Sequence, residues 1–176
     1  DIRLGVPIGI NIENGVAAMA LAHLNGVTDE EIRQGMASFR GVDRRFDFKI
    51  KTDRLVFLSD YAHHPAEIAQ SVKSIRELYR DKKITAIFQP HLYTRTRDFY
   101  KDFADSPARE QPIPGVSSQL IYDNLRPGIE KCICRKEDIP DLLSKKPVEV
   151  LIVLGAGDLD NYVPSIARLL EQRSKA

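Results

Sequence analysis

The sequence predicts an α/β protein: a short helical segment, then a mostly parallel sheet with helices on both faces. Two features carry that expectation. Short, mostly apolar runs at 84–88 and 148–154 alternate with amphipathic helical segments, the pattern of strands buried on both faces of a parallel sheet. Upstream of residue 41 the apolar spacing is helical only, so the strands follow a helical leader. The 176 residues suffice for one domain, or for one domain and a fragment of a second. No internal repeat or low-complexity stretch interrupts them.

The elements follow in order. In the segment 14–24, Val16, Met19, Ala20 and Leu24 have helical spacing, and Gly26 stops the helix where a left-handed residue costs little. Thr28 precedes Asp29, Glu30 and Glu31, a capping-box pattern with acidic residues at the positive end of a second helix. That helix carries Ile32, Met36 and Phe39 on one face and ends near Gly41. The period then shortens. Residues 46–51 and 54–59 read as strands joined by a hairpin at Thr52-Asp53. Pro65 opens a helix in which Ile68, Val72, Ile75 and Leu78 are spaced for burial. A strand at 84–88, helices at 96–104 and 116–125, a brief strand at 131–134, a helix at 137–143, a strand at 148–154 and a closing helix at 162–170 complete the reading. Between 107 and 115 the chain reads as a loop where an alternating topology should return through the sheet.

Composition bounds the function classes. Hydrophobic residues make up 43% and charged residues 29%, the balance of a folded globular chain rather than a disordered one. The formal net charge of +1 supplies no whole-chain attraction for nucleic acid or an anionic membrane, and neither partner is expected. Cys132 and Cys134 are too few for a disulfide framework and too sparse for a metal site, so buried packing is expected for them and no metal ligand is assigned. Apolar runs fall far short of a membrane span and no signal-peptide pattern opens the chain, which makes a cytoplasmic location the expectation.

Chemistry in such sheets gathers at the carboxyl ends of the strands, and three of those ends carry unusual residues. Asp60-Tyr61-Ala62-His63-His64-Pro65 follows the 54–59 strand. It is either a helix cap beside two surface histidines, or a polar cluster able to hold a ribose, a metal or an amine. Gln89-Pro90-His91-Leu92-Tyr93-Thr94-Arg95-Thr96-Arg97 follows the 84–88 strand. It is either a solvated loop capped by a threonine, or an anion pocket in which Arg95 offers a planar fork beside a helix N-terminus. Gly155-Ala156-Gly157-Asp158 follows the last strand; it fits a weak phosphate-loop signal and a tight strand-to-helix turn equally. Arg44-Arg45 sits where leader and first strand meet, either as a solvated edge or as a grip on a nucleotide.

Four segments taken together resemble a known family. They are Pro7-Ile8-Gly9-Ile10-Asn11-Ile12-Glu13-Asn14, Gly41-Val42-Asp43-Arg44-Arg45-Phe46, Asp60 to Pro65, and Phe88 to Arg97. Their order and content are similar to the Mur ligases, and the Tyr-Ala-His-His-Pro and Gln-Pro-His-x-Tyr-Thr-Arg-Thr pieces carry most of the specificity. The resemblance is narrowest to the member that adds the first amino acid of the peptidoglycan precursor. It implies an ATP-dependent ligase that joins L-alanine to UDP-N-acetylmuramate: the sugar carboxylate takes the γ-phosphate to form an acyl phosphate, which the alanine amine then displaces, with Mg²⁺ spreading the charge. Such ligases have a UDP-sugar domain, a central ATPase with a P-loop and a Rossmann-like third domain.

No G-x-x-x-x-G-K-[ST] segment occurs in this sequence. The resemblance therefore implies a fragment: residues 1–40 as the last helices of the central domain and 41–176 as the third domain. That fragment has no complete catalytic set, should be inactive alone, and should hold neither ATP nor Mg²⁺ tightly. Carried over by position, Asn11, Asn14, Arg45 and Asp60 would contact the nucleotide, and Tyr61, His63, His91 and Arg95 the amino acid. Ile10 and Leu92 depart from the family pattern, which commonly has His and Arg there. The family has a strand before the Pro-Ala-x-Glu motif, here Pro107 to Glu110. Without the resemblance, the same clusters would also suit a stand-alone nucleotide or amino-acid binding module.

Overall fold

In a computed structural model of the chain, residues 1–90 and 117–175 are described. The helix expected at 96–104 and the loop at 107–115 lie outside them. The chain divides into two compact units, Asp1–Asp43 and Arg44–Ala176.

The first unit is a helical pair, α1 (Gly9–Leu24) and α2 (Asp29–Ser38). α1 begins five residues before the 14–24 segment, because no side chain caps its start and the sequence carries no signal there. The α2 start follows its expectation: Glu31 N–H donates to Thr28 Oγ1 at 3.3 Å, and Thr28 N–H donates to Glu31 Oε2 at 2.9 Å. Gly26, at φ +82°, makes the turn between the helices. α1 is apolar without having one buried stripe: Ile12, Val16, Leu21 and Leu24 are all exposed, Leu24 to 80%.

The second unit holds a four-stranded sheet in the order β1-β2-β4-β3, with β1 (Asp47–Lys51), β2 (Val56–Asp60), β3 (Ile84–Phe88) and β4 (Val150–Leu154). β1 pairs antiparallel with β2 through a tight hairpin in which Thr52 N–H donates to Leu55 O at 2.9 Å. β2, β4 and β3 are parallel. Their register is level: Asp60 pairs with Leu154, and Leu154 with Phe88, so three carboxyl ends finish on one line.

Helices α3 (Pro65–Leu78), α4 (Ser118–Asn124), α5 (Ile139–Ser144) and α6 (Val163–Lys175) complete the unit, with 3-10 turns at Lys136–Asp138 and Asp158–Tyr162. Alternation along the strands sorts the layers. Phe57, Leu151 and Val153 face α5 and α6, packing with Ile139, Leu143, Val163, Ile166 and Leu170. Asp60, which shares the opposite face with Val56 and Leu58, is bonded by Ser71 of α3. β4 runs between these layers with all five residues buried, which accounts for its unbroken apolar sequence.

Three expectations need correction. The 131–134 segment is not a strand, and Cys132 and Cys134 are exposed rather than packed. The run is short, and its one strong β-former, Ile133, is itself 49% exposed, so nothing drives it into the sheet. In α3 the buried residues are Ser71, Ser74 and Ile75, while Val72 and Leu78 are exposed. The stripe is rotated because the helix meets the sheet through serines, one of which has a carboxylate partner. Among the described residues no helix is long and apolar enough to cross a membrane.

Candidate functional site

The level strand ends place three loops side by side. Gly155 N–H donates to Asp60 O at 3.1 Å, and Gln89 N–H donates to Leu154 O at 3.0 Å, so the sheet continues one bond beyond its strands. Gly155 has φ +133°, and a Cβ there would stand 2.3 Å from Gln89 O. The Gln89 side chain closes the other side. Its Nε2 donates to Asp158 Oδ1 and its Oε1 accepts from Leu159 N–H, each at 2.7 Å. A Cβ on Gly157 would fall 2.3 Å from that Oε1. The Gly-Ala-Gly-Asp segment is thus a tight strand-to-helix turn built around Gln89. Lys136 donates to the other oxygen of Asp158. That bond, with the one from Gln89, holds the Asp158 carboxyl below the usual carboxylate range and raises the Lys136 ammonium.

Asp60 is the buried member, with 7% of its surface exposed. Its Oδ2 accepts from Ser71 Oγ at 2.5 Å, its Oδ1 accepts from Ala62 N–H at 3.2 Å, and Phe46 N–H also donates to the carboxylate. A carboxylate offers about four lone-pair sites, so three donors leave room for one more. Burial dominates and pushes its carboxyl up, against the opposing pull of these donors and of Arg45. Asp60 is not the cap of α3. His64 is: its Nδ1 accepts from Ala66 N–H at 3.4 Å, while Glu67 Oε2 accepts from the N–H groups of His63 (3.0 Å) and His64 (3.2 Å).

Beyond Asp60 the chain lays an aromatic and an imidazole beside two arginines. The Tyr61 and His63 rings meet edge-on with centroids 5.1 Å apart. The guanidinium carbons of Arg44 and Arg45 lie 4.7 and 5.6 Å from the Tyr61 ring centre, within cation–π reach. Arg45 extends to 3.8 Å from Glu67 Oε1, with more than half of its side chain exposed. Glu67 is disfavoured as an anion by its burial, but the two N–H groups, the His63 ring and Arg45 outweigh that and hold its carboxyl low. His63 Nδ1 is 2.9 Å from Tyr61 O. The same Nδ1 is 3.4 Å from Glu67 Oε2, and since a carbonyl and a carboxylate only accept, a proton on Nδ1 serves both.

The structure therefore brings Arg45, Asp60, Tyr61 and His63 together at one edge of the sheet. Asn11 and Asn14 belong to α1 of the first unit: Asn11 is half-buried, its Nδ2 donating to Val6 O at 3.1 Å, and Asn14 is exposed. His91 and Arg95 lie outside the described residues. Sequence reasoning missed Glu67, Ser71, Lys136 and Asp160. Glu67 had a signal, its place three residues after His64 in a capping-box spacing; the other three join the site only through tertiary contact.

Residues 44–157 match the family described as Mur ligase, glutamate ligase domain. The chain belongs to the Mur ligase family. It is 72% identical to the UDP-N-acetylmuramate–L-alanine ligase of Phocaeicola vulgatus, over 98% of this chain and 41% of that protein. The corresponding figures for the ligase of the same name from Parabacteroides distasonis are 51%, 97% and 39%. Among solved structures, the UDP-N-acetylmuramate–alanine ligase MurC of Thermotoga maritima superposes with a TM-score of 0.76 at 25% identity, covering 99% of this chain and 40% of that one. The folylpolyglutamate synthase of Thermotoga maritima, at 15% identity and a TM-score of 0.63, shares the fold. The chain spans about two fifths of the length of the curated Mur ligases it matches.

Proposed function

We propose that this chain is the carboxyl-terminal part of an ATP-dependent ligase that joins L-alanine to UDP-N-acetylmuramate in cytoplasmic peptidoglycan precursor synthesis. The observation that carries the reading is the 72% identity, along almost the whole chain, to an enzyme of that name. Residues 1–40 are assigned to the end of the central ATPase domain and 41–176 to the third domain. The four large apolar side chains that α1 exposes, Ile12, Val16, Leu21 and Leu24, support the first assignment, since such a surface suits a helix packed within a larger domain.

In this reading Arg45 and Asp60 serve the nucleotide. Arg45 projects a cation from a half-exposed position, and Asp60 has one lone-pair site left for a ribose hydroxyl; Asn11 and Asn14 flank the base. Tyr61, His63, His91 and Arg95 serve the alanine. The amine must lose a proton before it attacks, and in its neutral form, with Nδ1–H directed at Tyr61 O, the His63 ring presents Nε2 as the acceptor. The family's Mg²⁺ would assist transfer of the γ-phosphate. Among the described residues no three His, Cys, Asp or Glu side chains are grouped as a ready-made metal cage.

The isolated chain is expected to give no ATP-dependent ligation, whereas the full-length protein should convert UDP-N-acetylmuramate and L-alanine to the amide, followed by chromatography. Product from the chain alone overturns the domain assignment, and a full-length protein without product overturns the ligase reading. Arg95 gives a finer test. Alanine offers one methyl for apolar contact, so its orientation rests on its charged ends, and a bidentate guanidinium fixes a carboxylate best. Arg95→Lys keeps the charge but loses the fork. It should raise the alanine KM strongly in the full-length enzyme and leave the ATP KM nearly unchanged; an unmoved alanine KM and kcat would remove Arg95 from the site.

A further inference from the structure

We propose that Arg44 is a positioning residue that fixes the Tyr61 ring and the Arg45 side chain in a single arrangement, so that nucleotide and amino-acid contacts are set together. This rests on the ligase reading above and goes beyond it, since that reading uses Arg45 and Tyr61 but gives Arg44 no task. The inference starts from the backbone. Arg44 has φ +60° and Phe46 φ +49°, both in the left-handed region that non-glycine residues seldom enter. Such a conformation persists only where its surroundings over-determine it, and here they do. Arg44 N–H donates to Asp47 Oδ2 at 3.2 Å, Arg44 O accepts from Tyr61 N–H at 2.7 Å, and Phe46 N–H donates to the Asp60 carboxylate. The turn holding Arg45 is therefore tied on both sides to the end of β2.

The Arg44 side chain adds a third tie. Its guanidinium carbon lies 4.7 Å from the Tyr61 ring centre, and its Nε stands 3.1 Å from Asp160 Oδ2, in the 3-10 turn after β4. That Nε is shut off from solvent and makes no aligned hydrogen bond, so the contact with Asp160 is an ion pair. Two guanidinium groups beside one phenol would repel each other if both were uncompensated. Each has an acid instead: Arg44 has Asp160, and Arg45 has Glu67 at 3.8 Å. With Arg44 held from behind by Asp160, Tyr61 is clamped by one arginine, while Arg45, with more than half of its side chain exposed, remains within reach of a ligand.

The test uses the full-length enzyme with Arg44→Lys, Asp160→Asn and the double variant. KM for ATP, KM for L-alanine, kcat and the thermal midpoint are measured for each. Lysine keeps the charge but loses the planar group over the ring. Arg44→Lys is expected to raise both KM values at least fivefold. Asp160→Asn, which keeps its shape and touches neither Tyr61 nor Arg45 in the geometry above, should move both KM values in the same direction by at least twofold, with its thermal midpoint near that of wild type. The double variant should be no worse than Arg44→Lys alone, because both changes break the same contact. Effects that multiply in the double variant, or KM values within twofold of wild type in both single variants, overturn the proposal. If Arg44→Lys fails to fold, the Asp160→Asn values decide. A wild-type protein that makes no product overturns the ligase reading instead, so the two failures are distinguishable.

Discussion

Gly155→Ala should destabilise the Arg44–Ala176 unit by at least about 2 kcal/mol, from backbone strain and overpacking together. A folded domain has only about 5–15 kcal/mol in total, so the loss is a large share. Gly155 sits at φ +133°, a region that a residue with a Cβ enters only under strain. The added Cβ would also meet Gln89 O at 2.3 Å and Gln89 C at 3.2 Å. Those atoms cannot swing away as a side-chain tip would, because Gln89 N–H is bonded to Leu154 O and β3 is paired with β4 throughout. Gly128→Ala is the control. It has φ +86° with nothing within 4 Å of the built Cβ, so it should carry the left-handed strain alone, roughly 1–2 kcal/mol. Urea unfolding of both variants separates conformation from collision. A Gly155→Ala chain as stable as Gly128→Ala would mean that the strand-end turn relaxes freely, and the packing described around Gln89 would be wrong.

How far the fold could be read depended on whether a signal was local. The 84–88 strand matches β3 residue for residue, because an apolar run bounded by charged and proline residues is written in the sequence itself. The Thr28–Glu31 capping box was equally legible, since both partners lie within one turn. The start of α1 at Gly9 is not legible, because no side chain caps it. The 131–134 strand failed for the opposite reason. A strand needs a neighbour with a free edge, and alternating apolar residues do not report whether one exists. The rotated face of α3 is the most instructive case. Periodicity chose Val72 and Leu78, yet the helix turns Ser71 inward, where a hydroxyl meets the Asp60 carboxylate. A buried polar pair outranked two apolar contacts.

The site was legible as clusters but not as geometry. Asp60, Tyr61 and His63 stand out by their density at a strand end and Arg45 by its place where leader and first strand meet, and the four do lie together. Their supports were invisible from spacing. Ser71 is eleven residues from Asp60 and meets it only because α3 folds back on β2, and Asp160 is far beyond Arg44 in sequence and nears it only because β4 lies beside β2. Candidate site residues announce themselves by unusual chemistry. The residues that hold them are ordinary ones in the right place.

Asp60 should then behave as two things at once, a ligand contact and a buried acid, and the two can be measured apart. In the full-length enzyme, Asp60→Ala is expected to raise the ATP KM at least tenfold or to collapse kcat, consistent with about 1.5–3 kcal/mol for a hydrogen bond to a charged group. A change confined to the alanine KM would misplace the residue. Stability of the chain itself carries the other signature. Burial raises the Asp60 carboxyl from its ordinary value of 3.8, so between that value and the raised one the folded state keeps a proton that the unfolded state has lost. Stability from this group is thus full in acid and is lost as pH rises through the folded pKa. Glu67 and Asp158 are shifted downward and have the opposite slope, but both remain in an Asp60→Asn chain and cancel in the comparison. Wild type minus Asp60→Asn, from urea unfolding across that window, should therefore fall as pH rises and then level off. If the difference rose with pH, the donors from Ser71, Ala62 and Phe46 would outweigh burial, and Asp60 would enter the site as a stabilised anion rather than a reluctant one.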